Sequence, residues 1–150
     1  MDELLAAIKA ALQASSGLSY IGDADIFVSG GGNLPPPGVV LPALGVEMVA
    51  VRNEQKIGSR YLQYADIAVM IYQRQTVLPD EAIVGGLGTE VIAGDVKSCL
   101  TNNQLGFTDG SGQIMASFPA REGKNEKVKL AGVECVRKSV TFQYFRNMYS

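Results

Sequence analysis

Few side chains in this sequence are equipped for chemistry. None of the 150 residues is a histidine, so the commonest general acid–base is missing. No serine sits in a nucleophile elbow, and neither cysteine has an activating base beside it. Asp95, Asp109, Glu122 and Glu126 lack the spacing of a calcium loop, and the remaining carboxylates form no marked pair. Cys99 and Cys135 lie far apart and read as two buried thiols in a reducing compartment. Gly30-Gly31-Gly32 is tempting as a phosphate cradle. No Lys-Ser/Thr follows it, however, and Pro35-Pro36-Pro37 forbids a helix start, so it reads as a hinge joined to an extended polyproline segment. Gly85-Gly86-Leu87-Gly88 follows a helix-like start rather than a strand, so it lacks the rest of a dinucleotide fingerprint and reads as packing glycines. The expectation is no catalytic site, no cofactor and no metal.

Size and charge bound the rest. A chain of 150 residues makes one domain, 1–150, able to bury roughly 70% of its unfolded surface. A net charge of −2 supplies no long-range attraction for nucleic acid or anionic membrane. The acidic start Met1-Asp2-Glu3 is unlike a secretory signal, and the most apolar region, 38–51, is interrupted by Pro42 and Glu47. No membrane association is expected. The chain belongs in a cytoplasm or in a particle assembled there.

The element that organises the chain is Tyr61 to Gln75, a strand rich in aromatic and β-branched residues. Its odd face (Ala65, Ile67, Val69, Ile71) is apolar; its even face (Tyr64, Asp66, Ala68, Met70, Tyr72, Arg74) is mixed and largely sticky. A half-solvated strand should be charged on the second face, so a helix or a neighbouring chain is expected there. Before it, residues 2–14 form an amphipathic helix with Leu4, Leu5, Ile8 and Leu12 on one face and Asp2 as cap. That helix lies on a sheet or, alternatively, binds a partner. A short strand follows at Ile26-Phe27-Val28, then a strand from Ala43 to Val51.

Arg52 to Arg60, with Arg52, Lys56 and Arg60 against Glu54, reads as the loop of a long hairpin. Fifteen extended residues span about 50 Å, whereas a domain this size is roughly 40 Å across. Part of the hairpin is therefore expected to project, and a projecting apolar hairpin normally pairs with another chain. Pro79-Asp80-Glu81 opens a helical region carrying Ile83, Leu87, Val91, Val96 and Leu100, broken near Gly88 and restarted with Thr89 as cap. The polar stretch 102–128 has a turn at Asp109-Gly110 between strand-like pieces 105–108 and 113–118, and is expected to order on assembly. Residues Val128 to Arg146 read as one long strand beside the Tyr61 strand. Val136, Val140, Phe142 and Tyr144 share one face and Arg137, Ser139, Thr141 and Gln143 the other. Met148 and Tyr149 form an apolar pair for docking onto a neighbour. The fold class is thus α+β: an antiparallel twisted sheet of about four main strands with a long hairpin, packed by an N-terminal helix and a second, glycine-broken helix.

Leu41-Pro42-Ala43-Leu44, Ala65 to Tyr72 and Val140 to Tyr144, in this order of elements, resemble the tail terminator (tail completion) proteins of long-tailed bacteriophages. The resemblance spans almost the whole chain. It departs from the usual pattern in the triple proline, the glycine-broken helix and the insert at 106–128. It implies a virion structural protein, assembled in the host cytoplasm, that forms a hexameric ring on the tail tube. Such a ring ends tube polymerisation and joins the tube to a head-tail connector or neck protein, while the genome passes through its lumen without sequence-specific binding. On that reading Tyr64, Met70, Tyr72, Arg74, Met148 and Tyr149 are interface residues. Arg52, Lys56 and Arg60 belong to a tube-facing or lumen-facing loop. A head-completion or connector adaptor ring is the nearest alternative, and a small-ligand-binding protein the distant one.

Overall fold

The computed structural model describes residues 2–29, 35–36, 38–55, 60–74, 88–101, 103, 105, 114–130 and 132–149, of which the side chains at 2, 3, 54, 55, 60–62, 114–120, 130 and 146–149 are not described. The glycine hinge, Lys56, the first half of the glycine-broken helical region and the Asp109-Gly110 turn lie outside these residues, and so does the side chain of Asp2. The chain is α+β. Helix α1 (Asp2–Ala14) is followed by strands β1 (Ile26–Val28), β2 (Ala43–Gln55) and β3 (Arg60–Arg74), then helix α2 (Thr89–Leu100), then β4 (Ile114–Glu122), β5 (Glu126–Leu130) and β6 (Val133–Tyr149).

The six strands of the described residues form one open sheet in the order β1-β2-β3-β6-β4, with β5 beside β6. The expected antiparallel sheet of four main strands is corrected to a mixed sheet of six, because β1 runs parallel to β2 over Leu44 to Val46. The chain between Val28 and Ala43 returns β2 in β1's own direction, which a tight hairpin cannot do. The expected pairing of the two longest strands is present: β3 and β6 stay in antiparallel register from Arg60–Tyr149 to Arg74–Cys135.

Three boundaries differ from the sequence reading, each for a local reason. The hairpin strands reach Gln55 and restart at Arg60, so Arg52 belongs to β2 and not to a loop. The stretch 128–146 is two strands rather than one. Gly132, at φ +82°, takes the left-handed conformation that turns β5 back into β6 after the Leu130–Val133 pair. Helix α2 has Gly88 at its N-cap position, and Thr89 is its first residue rather than its cap. From that start the buried stripe is Thr89, Ile92, Ala93, Val96 and Leu100, which turns Val91 outward.

Both helices lie on the same side of the sheet. Leu4, Ile8 and Leu12 of α1 join Ile92, Val96 and Leu100 of α2 over Ala65, Ile67, Val69 and Ile71 of β3 and Val140, Phe142 and Tyr144 of β6. The two period-2 apolar faces and the two helical stripes therefore meet in a single core. A second, smaller cluster sits on the opposite face. There Phe27, Ala43 and Tyr72 are buried with Val39, Leu41 and Met70 packed on them.

Gly45 lies beneath that cluster. A Cβ at this position would sit 2.8 Å from the Phe27 ring. Phe27 is itself stacked on Tyr72 at 6.3 Å between centroids, so it has little room to withdraw. Gly45→Ala is expected to lower stability by about 1–3 kcal/mol through overpacking. Urea denaturation would register this as an earlier midpoint, and an added Phe27→Leu change should recover part of it.

Candidate assembly surface

The face away from the helices is set by alternation. Residues opposite the core-facing Ala65, Ile67, Val69 and Ile71 are Tyr64, Asp66, Ala68, Met70 and Tyr72, and the ladders place β2 and β6 residues beside each. Along the sheet the rows read Arg52–Tyr64–Phe145, Ala50–Asp66–Gln143, Glu47–Ala68–Thr141, Gly45–Met70–Ser139 and Ala43–Tyr72–Arg137. A bulge between Met48 and Ala50 keeps Glu47 and Arg52 on this same face, although they are five positions apart.

The residues expected to form one interface separate into two ends of the sheet. At the far end the Arg52 guanidinium lies 4.6 Å from the centroid of Tyr64, and Tyr64 tilts against Phe145 at 5.8 Å. That cation–aromatic–aromatic row holds the long hairpin flat against β6. Register places Met148 and Tyr149 beside Tyr61 and Arg60 at this same end. At the other end are Met70, Tyr72 and Arg74. Arg74 is exposed and Met70 half-buried.

Tyr72 requires a correction. It is only 2% exposed, covered by the chain's own Phe27, Ala43, Val39 and Leu41, so its ring is not available to a neighbour. Burial pushes its phenol above the ordinary value, while the Arg137 guanidinium beside it pulls the other way. The sticky second face of β3 is therefore satisfied in part within the chain, by Phe27 of β1 and the segment carrying Val39 and Leu41 rather than by a helix. The Val40 N–H donates to Asp25 Oδ1 at 2.9 Å and ties that segment down.

Polar groups elsewhere hold elements together. Lys138, on the helix-facing side of β6, donates to Glu90 Oε1 at 2.8 Å, and Asn125 Nδ2 donates to the same oxygen at 3.1 Å. The Thr89 hydroxyl donates to Asn125 Oδ1. These four side chains fasten the start of α2 to β6 and to the β4–β5 turn. The Tyr20 hydroxyl donates to Asp95 at 2.6 Å; burial first and Asp95 second drive its pKa upward. Neither Cys99 nor Cys135 is in a disulfide. Cys135 is buried and Cys99 half-buried, its thiol raised by burial. Among the described residues no cluster of metal-ligating side chains occurs, and no helix is long and apolar enough to cross a membrane.

Phe145 and Arg121 were not singled out in sequence, although Phe145 continues the 139-141-143 alternation. The position of Arg121 depends on a bulge in β4 that no local pattern announces. Comparison with known protein families gives no match, and comparison with curated proteins gives none either.

Proposed function

We propose that this protein is a virion structural protein whose copies form a ring, hexameric by the family resemblance, at the end of a phage tail tube. The ring ends tube polymerisation and presents its other face to a head-tail connector or neck protein. The work is mechanical: one ring face matches the tube and the other does not propagate it. The observation that carries the reading is the long sheet itself. β2, β3 and β6 run on beyond the Ala65–Tyr144 row, the last of the buried core on β3 and β6, to Gln55, Arg60 and Tyr149, and the β2 edge beside that core leaves Val49 and Val51 48% and 45% exposed. A hairpin of this length with apolar content on its edge calls for a further strand or chain beside it. The row Arg52–Tyr64–Phe145 stiffens it on the uncovered face.

The test is negative-stain imaging and light scattering of the purified protein, alone and with tube protein. A six-fold ring that caps short tubes is the expected result. Twelve-fold symmetry would transfer the protein to the connector side of the joint. A stable monomer that tube protein does not recruit would overturn the reading.

A further inference from the structure

The outer edge of the sheet is a single lane with a break in it. β4 and β5 follow one another along the same side of β6. β4 ends on the Glu122–Val140 pair and β5 starts on the Glu126–Arg137 pair. Gly123 is still fixed: its N–H donates to the Ser139 carbonyl at 2.8 Å, and a Cβ there would sit 2.5 Å from the Ser139 hydroxyl. Lys124 and Asn125 fall between the two ladders, and Gly132 turns the chain at the far end. Residues 124–130 are therefore a short strap with a backbone break on each side.

What holds the strap is mostly polar. None of residues 121–129 is buried, and half-buried Val128 is the one large apolar side chain among them. β6 keeps β3 as its other partner from Cys135 to Tyr149, so it stays in the sheet with or without β5. Beyond the five ladder pairs, Glu126 meets Arg137 at 3.0 Å, with the Glu126 side chain half in water. Asn125 supplies the contact to the helix layer. It accepts from the hydroxyl of Thr89, which is fully buried, and donates to Glu90 Oε1 at 3.1 Å. Thr89 and Glu90 are the first two residues of α2, and Glu90 also receives the Lys138 amine.

The coupling runs both ways. A strap that lifts takes the acceptor from Thr89 and a donor from Glu90. A first turn of α2 that unwinds takes both partners from Asn125. Segments with little buried apolar surface and exposed backbone hydrogen bonds open locally, well below the cost of unfolding the domain. We propose that residues 124–130 and the first turn of α2 form one opening unit, latched by Asn125, that lifts from β6 while β2, β3 and β6 stay paired. Lifting bares the edge of β6 at 133–137 and one side of the buried Val136. The device is internal to one copy and stands independently of the ring reading.

Hydrogen exchange tests the latch. In the parent, the β5 amides bonded to β6 and the Ile92 amide, which donates to the Gly88 carbonyl, should exchange about a hundredfold faster than those around the Ile67–Phe142 pair. Both sets should share one weak dependence on low urea, since they open together and expose little surface. Asn125→Ala removes two hydrogen bonds and should speed both sets about tenfold, leaving the Ile67–Phe142 region unchanged. Lys97→Ala breaks a surface pair with Glu122, on the fixed side of the break, and should leave both sets as they are. β5 amides in the parent that exchange as slowly as the Ile67–Phe142 region would overturn the proposal, because the edge would then open only with the whole domain. An Asn125→Ala protein in which β5 speeds up and Ile92 does not would overturn it too, as would a Lys97→Ala protein that matches Asn125→Ala. The parent measurement decides the matter by itself should Asn125→Ala fail to fold.

Discussion

Phe142→Ala is expected to lower the unfolding free energy by about 3–5 kcal/mol. Phe142 is fully buried on β6, opposite Ile67 of β3, in the core that both helices cover. Removing its ring takes away the transfer free energy of a large side chain and leaves a cavity that two long, mutually registered strands cannot collapse to fill. Domains of this size have about 5–15 kcal/mol of stability in all, so the variant should sit near its unfolding midpoint under mild conditions. Phe145→Ala is the natural control. It lies three positions along on the opposite face, half-buried against Tyr64, and its loss should be much milder. Urea denaturation followed by circular dichroism separates the two. Equal midpoints would mean that the helices do not cover the face assigned to them.

Glu90→Ala and Lys138→Met should differ sharply although they break the same ion pair. The Lys138 side chain is 7% exposed and that of Glu90 is 42% exposed. Removing Glu90 strands a buried ammonium group, and about 1–3 kcal/mol of stability should be lost, discounted from a fully buried pair because water reaches the carboxylate. Removing the amine leaves a carboxylate that water can solvate, with an apolar side chain of similar shape in the core. Lys138→Met should therefore be near neutral.

The pair also predicts an acid limb. The hydrogen bond from Lys138 holds the Glu90 carboxyl below its ordinary 4.5, with Asn125 assisting against the opposing effect of burial. A carboxyl whose folded pKa is depressed contributes stability that is fully present above the unfolded value. That contribution is lost as pH falls from about 4.5 through the lower folded value. Melting temperatures across pH 6 to 3 should show this loss in the parent and a flatter profile in Glu90→Ala. The comparison is between two slopes, so other carboxylates common to both proteins cancel.

Much of the architecture is legible residue by residue, because it depends on period alone. Leu4, Ile8 and Leu12 declare a helix face; Ala65 to Ile71 and Val136 to Tyr144 declare two strand faces; and Leu4, Ile8, Leu12, Ala65, Ile67, Val69, Ile71, Val140, Phe142 and Tyr144 are found in the one core. The absence of histidine is likewise a property of the sequence itself. Composition also marks the uncovered face of β3 as sticky, but not what covers it. Tyr72 illustrates the difference. Its aromatic ring on a mixed face looks like an interface residue, yet Phe27, Val39 and Leu41 reach it from earlier in the chain.

Other features depend on contacts distant in sequence, and local pattern carries no record of them. The parallel entry of β1, the turn at Gly132 that divides a continuous apolar run, and the row joining Glu47 through β3 and β6 to Arg121 are of this kind. So is Lys138, a cation on the core-facing side of β6 that is tolerable only because Glu90 arrives from α2. Short-range periodicity determined which residues are inside. Pairing register, which sums backbone hydrogen bonds over strands 60–74 and 135–149 and shifts at each bulge, decided which residues meet across the sheet.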